Sequence, residues 1–216
     1  MDVFPFTIVG FDLDGTLLDT AMDLTAAVNH TLATEGRETL PVERVRRMIG
    51  GGGRHMLELA LEATGGCDAA LLDRLLPRML DFYRAHIAVH TTPFPGAIAM
   101  LDALAARGVA IALVTNKAER LARPLLDALD LTPRFATVIG GAGKPSPAPI
   151  EAMIAQCGGG QAAFVGDSIY DVGAAHAAGI KAVACAFGFL NQPVETLGAD
   201  AVIAHFDELI PTLETL

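Results

Sequence analysis

The sequence predicts an α/β fold, a parallel sheet with helices on both faces, interrupted once by a long helical insertion. Three observations predict it. Short apolar runs alternate with helical patterns through the second half of the chain. An apolar run near the N-terminus, Thr7 to Phe11, reads as one more buried strand. Between that run and the next convincing strand lies far more chain than the ~30 residues a strand–helix–strand unit needs, and its periodicity is helical.

The elements follow in order. Gly96 to Arg107 reads as a crossover helix, with Gly108 placed to stop it. Val109 to Val114 is a strand, Ala118 to Leu129 a helix, and Ala136 to Ile139 a strand. Pro149 to Cys157 reads as a helix and Ala162 to Val165 as a strand. Ile169 to Ala178 is a helix ending at Gly179, Lys181 to Ala186 a strand, Ala201 to Ile203 a last strand and Glu208 to Leu213 a last helix. Strand and helix in alternation give a parallel sheet covered on both faces. Residues 18–92 are left over. Leu24, Val28 and Leu32, then Leu57 and Leu61, then Leu71, Leu75 and Leu80 recur at helical spacing there, with no clear strand. This divides the chain into a core of residues 1–17 and 93–216 and an all-helical insertion of residues 18–92. Thin connections near Leu17–Thr20 and Thr91–Pro95 would act as hinges.

Composition narrows the partners. The 216 residues are 52% hydrophobic and 19% charged, enough to bury a core. The net charge of −10 and the absence of a basic stripe argue against nucleic acid. Mean hydropathy is +0.44, yet no apolar run reaches the ~18 residues of a membrane span. The longest charge-free stretch, Ala85 to Leu101, contains two histidines and two prolines. The opening Met-Asp-Val-Phe-Pro has no positive region of the kind that begins a secretion signal. Cys67, Cys157 and Cys185 lie far apart and form no CxxC, as in free thiols of a reducing cytoplasm. The expectation is a cytoplasmic protein, monomer or homodimer.

The polar residues collect where strands end. Asp12 and Asp14 follow the first strand, Thr115 and Asn116 the second, Lys144 comes shortly after the third, and Asp167, Ser168 and Asp171 follow the fourth. The carboxyl edge of an open parallel sheet is where ligands bind. Carboxylates crowded in one crevice repel one another unless a cation joins them. Oxygen donors without His or Cys nearby suit Mg²⁺ over Zn²⁺. With the Lys144 ammonium and the Thr115 hydroxyl, the site becomes a trap for a phosphoryl group. A carboxylate can attack phosphorus, and a second one two residues on can protonate the leaving alcohol. Asp12 and Asp14 have that spacing, and Gly15 permits the tight turn behind them.

Four segments carry a resemblance. Asp12 to Thr20, Leu113 to Lys117, Gly143 to Pro149 and Gly166 to Asp171 resemble, in order, the four motifs of the haloacid-dehalogenase-like phosphohydrolase superfamily. The resemblance implies a Rossmann-like core and makes the insertion a helical cap domain. It implies that Asp12 is the nucleophile and Asp14 the general acid/base. Thr115 and Asn116 would bind the phosphate and Lys144 clamp it. The metal would be Mg²⁺, held by Asp12, the backbone carbonyl of Asp14, Asp167 and Asp171. The substrate would be a small phosphorylated metabolite. The insertion contains no lysine, which disfavours the Schiff-base chemistry of phosphonate-cleaving members.

Ile49 to Arg54, with its run of four glycines, resembles the cap loop of the phosphoglycolate phosphatase subfamily. This implies a substrate role for Gly52, Gly53 and Arg54, since a guanidinium can take a carboxylate bidentately. His55 is a further candidate there. The loop Gly140–Gly143 before Lys144 is shorter than in that subfamily and lacks its aspartate. Pyrophosphatase, nucleotidase and sugar-phosphate phosphatase or phosphomutase activities are alternatives on the same scaffold. A phospho-receiver module, which would lack the insertion, is a remote one. His86 and His90 are four apart but have no third ligand, and neither a P-loop nor a dinucleotide fingerprint is present.

Overall fold

A computed structural model describes residues 4–216; residues 1–3 of the N-terminal stretch read above lie outside it. Six parallel strands form the main sheet: β1 (Ile8–Phe11), β4 (Ala110–Thr115), β5 (Thr137–Gly140), β6 (Ala162–Gly166), β7 (Lys181–Cys185) and β8 (Ala201–Ile203). Their order is β5-β4-β1-β6-β7-β8. β1 and β6 are buried along their whole length, and only the first residue of β4 escapes burial. Continuous apolar runs are what a strand covered on both faces requires.

Successive strand residues point to opposite faces, and the core divides accordingly. Val9, Phe11, Leu113 and Val165 pack beneath α5 (Ala97–Ala106), α6 (Glu119–Ala128) and α9 (Leu209–Thr215). Ile8, Ala112, Val114 and Phe164 pack beneath α7 (Ala148–Gln156) and α8 (Ile169–Ala177). Gly108 and Gly179 follow α5 and α8 at φ +73°, the left-handed conformation that ends a helix. Element boundaries fall within about two residues of the sequence reading.

The insertion is helical, with α1 (Ala21–Thr34), α2 (Val42–Arg46), α3 (Gly53–Glu62) and α4 (Ala69–Ala85). They share a separate apolar cluster built on Leu24, Val28, Leu32, Leu57, Leu61 and Leu75, to which the core lends Leu121 and Phe189. One feature corrects the sequence reading of 18–92 as free of strand. Its two ends pair as a short antiparallel ribbon, β2 (Leu18–Asp19) with β3 (Thr92–Pro93). Two-residue strands carry no periodicity, so their pairing is decided only in space. Asp23, buried at the start of α1, clasps the return connection by accepting His90 N–H, Thr91 N–H and the Thr91 hydroxyl at 2.7–3.0 Å. No helix among the described residues is long and apolar enough to cross a membrane.

Candidate active site

The chain reverses its direction of travel across the sheet between β1 and β6, and the crevice at such a switch point is where open α/β sheets take ligands. Loops after β1, β4, β5 and β6 meet there. Asp12, Asp14, Thr115, Lys144, Asp167 and Asp171 are all buried, as are Thr16, Lys117 and Ser168.

Lys144 lies at the centre. Its Nζ is 2.9 Å from Asp12 Oδ1, 2.5 Å from Asp171 Oδ1 and 2.8 Å from the Val114 carbonyl. Burial alone would lower its basicity, but the Asp12 and Asp171 carboxylates outweigh burial and hold the ammonium above its ordinary range. Asp12, Asp167 and Asp171 each offer one oxygen within 4.8 Å of the others. Burial raises the Asp12 carboxyl to about 6, with Lys144 pulling it back and Asp171 pushing it further. Burial, and then the charges of Asp171 and Asp12, raise Asp167 well above the usual carboxylate range. One lysine thus leaves three buried carboxylates undercompensated. An all-oxygen donor set with surplus negative charge fits a hard divalent cation.

The surroundings fix these carboxylates. Asp167 accepts the Thr16 hydroxyl at 3.0 Å and Phe189 N–H at 2.6 Å. Asp171 accepts, through Oδ2, the Ser168 hydroxyl at 2.6 Å and the Ser168 and Asp167 N–H groups at 3.0 and 3.2 Å. Asp171 therefore caps α8 as well as facing the site, and both its oxygens are engaged. Gly15 sits at φ +88°, and a Cβ there would lie 2.3 Å from Asp167 Oδ2. A side chain at this position is excluded by both conformation and space.

Two residues meet partners that the sequence reading did not name. The Asp14 carboxylate stands outside the acidic group: it accepts Lys117 Nζ at 2.8 and 3.0 Å and the Thr20 hydroxyl at 2.7 Å. Any metal role for Asp14 thus rests on its backbone carbonyl. The Asn116 carboxamide faces loops instead of open space, accepting Lys144 N–H at 2.8 Å and donating to the Lys144 and Gly50 carbonyls at 3.2 and 3.0 Å. It ties the Lys144 loop and the insertion loop to the end of β4. The Thr115 hydroxyl accepts Lys117 N–H at 3.2 Å, which leaves its own proton to donate.

A cavity of about 260 Å³ opens between insertion and core. Asp12, Asp14, Thr115, Asn116 and Lys117 line its core side, and Gly50 to Arg54, Met79 and Tyr83 its insertion side. Arg54 pairs with Asp73 at 2.7 Å, each more than half exposed. His55 is absent from the lining; it packs on Gly51 and faces Glu58 at 3.7 Å. Lys117 and Tyr83 are the residues that sequence reasoning missed. Lys117 had a signal, because the chain has three lysines and this one directly follows Thr115-Asn116 behind a buried strand. Tyr83 had none, being one apolar position among several on α4.

The haloacid dehalogenase-like hydrolase family model matches residues 9–185. A protein of Caulobacter vibrioides named phosphoglycolate phosphatase is 43% identical over 205 residues, spanning 92% of this chain and 86% of its own length. One of the same name from Agrobacterium fabrum is 39% identical, spanning 94% and 90%. The crystal structure of a predicted phosphoglycolate phosphatase from Haemophilus somnus superposes with a TM-score of 0.90 at 27% identity, covering 96% of this chain and 98% of that one. The family match runs from β1 to β7 and takes in all four converging loops and the insertion between them, so the chain belongs to the haloacid dehalogenase-like hydrolase family.

Proposed function

We propose that this protein is a Mg²⁺-dependent phosphatase that hydrolyses 2-phosphoglycolate through an aspartyl-phosphate on Asp12. The observation that carries the reading is the buried group of Asp12, Asp167 and Asp171 around Lys144, whose Asp12 lines a small cavity. About 260 Å³ lies below the ~300–1,000 Å³ of drug-sized pockets and favours a substrate of few atoms. The names of the relatives point to the same substrate.

Asp12, Asp167, Asp171 and the Asp14 carbonyl would hold Mg²⁺, which when bound neutralises charge on the phosphoryl oxygens. Lys144 and the Thr115 hydroxyl hold the phosphoryl group in line with Asp12. An Asp12 oxygen attacks phosphorus as the ester P–O bond breaks, and Asp14 gives its proton to the leaving glycolate oxygen. Asp14 then takes a proton from water, whose oxygen attacks phosphorus and releases Asp12 and phosphate. The insertion acts as a cap, hinged at the β2–β3 ribbon, that excludes bulk water during the covalent stage. Gly52 and Gly53 open α3 beside the cavity, where the first N–H groups of a helix have no partner within it.

The test is phosphate release from 2-phosphoglycolate, pyrophosphate, hexose phosphates and nucleotides, with and without Mg²⁺, for wild type and Asp12→Asn. Mg²⁺-dependent release that peaks on 2-phosphoglycolate and is lost in Asp12→Asn supports the reading. A peak on another compound retires the substrate and keeps the chemistry. No release from any compound overturns both.

A further inference from the structure

The largest fully buried side chain of the protein is Tyr83, on α4 of the insertion. Its ring lines the cavity, and among the described residues its buried hydroxyl makes no close hydrogen bond, the Lys117 ammonium being its near polar neighbour. A buried hydroxyl without a close partner is destabilising, and few are kept without a use. Lys117, from the core, places Nζ 4.6 Å from the centre of the same ring. The Asp14 oxygens accept this ammonium at 2.8 and 3.0 Å. Burial pushes the Tyr83 phenol up to about 12, so it stays a donor at neutral pH. Burial would lower Lys117, but Asp14 and Tyr83 outweigh burial and keep it charged. Two buried donors, one cationic, therefore face a cavity that also holds Asp12.

We infer that Tyr83 and Lys117 form the subsite for the carboxylate of the substrate, an inference that rests on the phosphatase reading above. A carboxylate can accept from the phenol through one oxygen and from the ammonium through the other. The rim cation is the weaker candidate: Arg54 is already paired with Asp73 and half exposed, where solvent screens its charge. Binding a carboxylate draws Lys117 away from Asp14 and frees the Asp14 oxygens to serve the leaving group. It also joins insertion to core, because the two donors come from different sides of the cavity. An ester without the second anion leaves the Tyr83 phenol without an anionic acceptor and Asp14 held by Lys117. A site built on hydrogen bonds rejects such an analogue strongly, by up to ~10⁴-fold.

The experiment compares kcat/KM for 2-phosphoglycolate and for ethyl phosphate, which has the same two-carbon ester and no carboxylate. It uses wild type, Tyr83→Phe, Lys117→Met and Arg54→Ala. The wild-type ratio is expected to exceed about 10² in favour of 2-phosphoglycolate. Tyr83→Phe should cut it roughly tenfold, the share of one hydrogen bond to a charged group. Its melting temperature should stay near the wild-type value, because the hydroxyl it removes makes no close hydrogen bond. Lys117→Met should bring the ratio near unity, and Arg54→Ala should leave most of it. If Lys117→Met does not fold, Tyr83→Phe decides alone. An unchanged ratio in Tyr83→Phe, or its collapse in Arg54→Ala, overturns the subsite while the phosphatase reading stands. A wild type inactive on every monoester overturns both.

Discussion

Lys144 crosses 132 positions of sequence to set its ammonium 2.9 Å from Asp12, with both side chains almost wholly buried. A buried charge pair is neither cheap nor optional. Its desolvation is severe, and deleting one partner strands the other. Much of the behaviour of the site follows from this pair and the two carboxylates around it.

Lys144→Met removes the only ammonium among the described residues that is bonded to Asp12 and Asp171. Loss of one partner of a buried pair costs about 3–5 kcal/mol. For a chain of this size that lowers the melting temperature by roughly 10 °C. Thermal melts in EDTA check this, and Mg²⁺ should recover part of the loss by supplying another cation. An unchanged melting temperature would show that the carboxylates do not need Lys144.

Asp167→Asn takes one oxygen anion from the acidic group while leaving Lys144 paired. Wild type should gain about 2.7 kcal/mol when Mg²⁺ is present at a hundred times its dissociation constant. The variant should gain little. Melts over a Mg²⁺ titration, or calorimetry of the metal alone, read the difference. Equal gains would place the metal elsewhere.

The metal-free protein should lose stability as pH rises from about 4 to 6. Asp12 titrates at 3.8 as a free side chain and at about 6 in the fold. Within that window the folded state holds a proton that the unfolded state has released. Folded protein thus binds more protons, and the free energy of unfolding falls with pH. The upward shift of Asp167 has the same sign. Melts in EDTA at pH 5 and pH 7.5 should show the higher value at pH 5. The gain on adding Mg²⁺ should be larger at pH 7.5, where the metal no longer competes with protons. Flat behaviour in both series would contradict the burial of these carboxyls.

Asp23→Ala strips the acceptors from His90 N–H, Thr91 N–H and the Thr91 hydroxyl. Stranded donors and a lost charge-assisted cluster should be destabilising by about 2–4 kcal/mol. Hydrogen exchange at residues 90–92 should rise with it. Protection that stays at the wild-type level would mean that the return connection is held by the β2–β3 ribbon alone.

How far the sequence reached depends on distance along the chain. Strand and helix positions were legible because period is a local property, repeated within each element. The four loops were legible because buried strands lead into them, and a parallel sheet must bring its strand ends to one edge. Asp12, Thr115, Lys144, Asp167 and Asp171 were named on that ground, and they lie together. The sequence by itself thus determined the alternation of strand and helix and the polar residues that its strand ends bring to one edge. Which donor meets which acceptor was decided only by the tertiary structure. Asp14 turns to Lys117, 103 positions away, instead of to the acidic group, and Asn116 braces two loops. Tyr83 lines the cavity from α4, whose buried face packs among the insertion helices. Such pairings depend on rotamers and burial between segments that share no local pattern, and their energies exist only once the chain has brought those segments together.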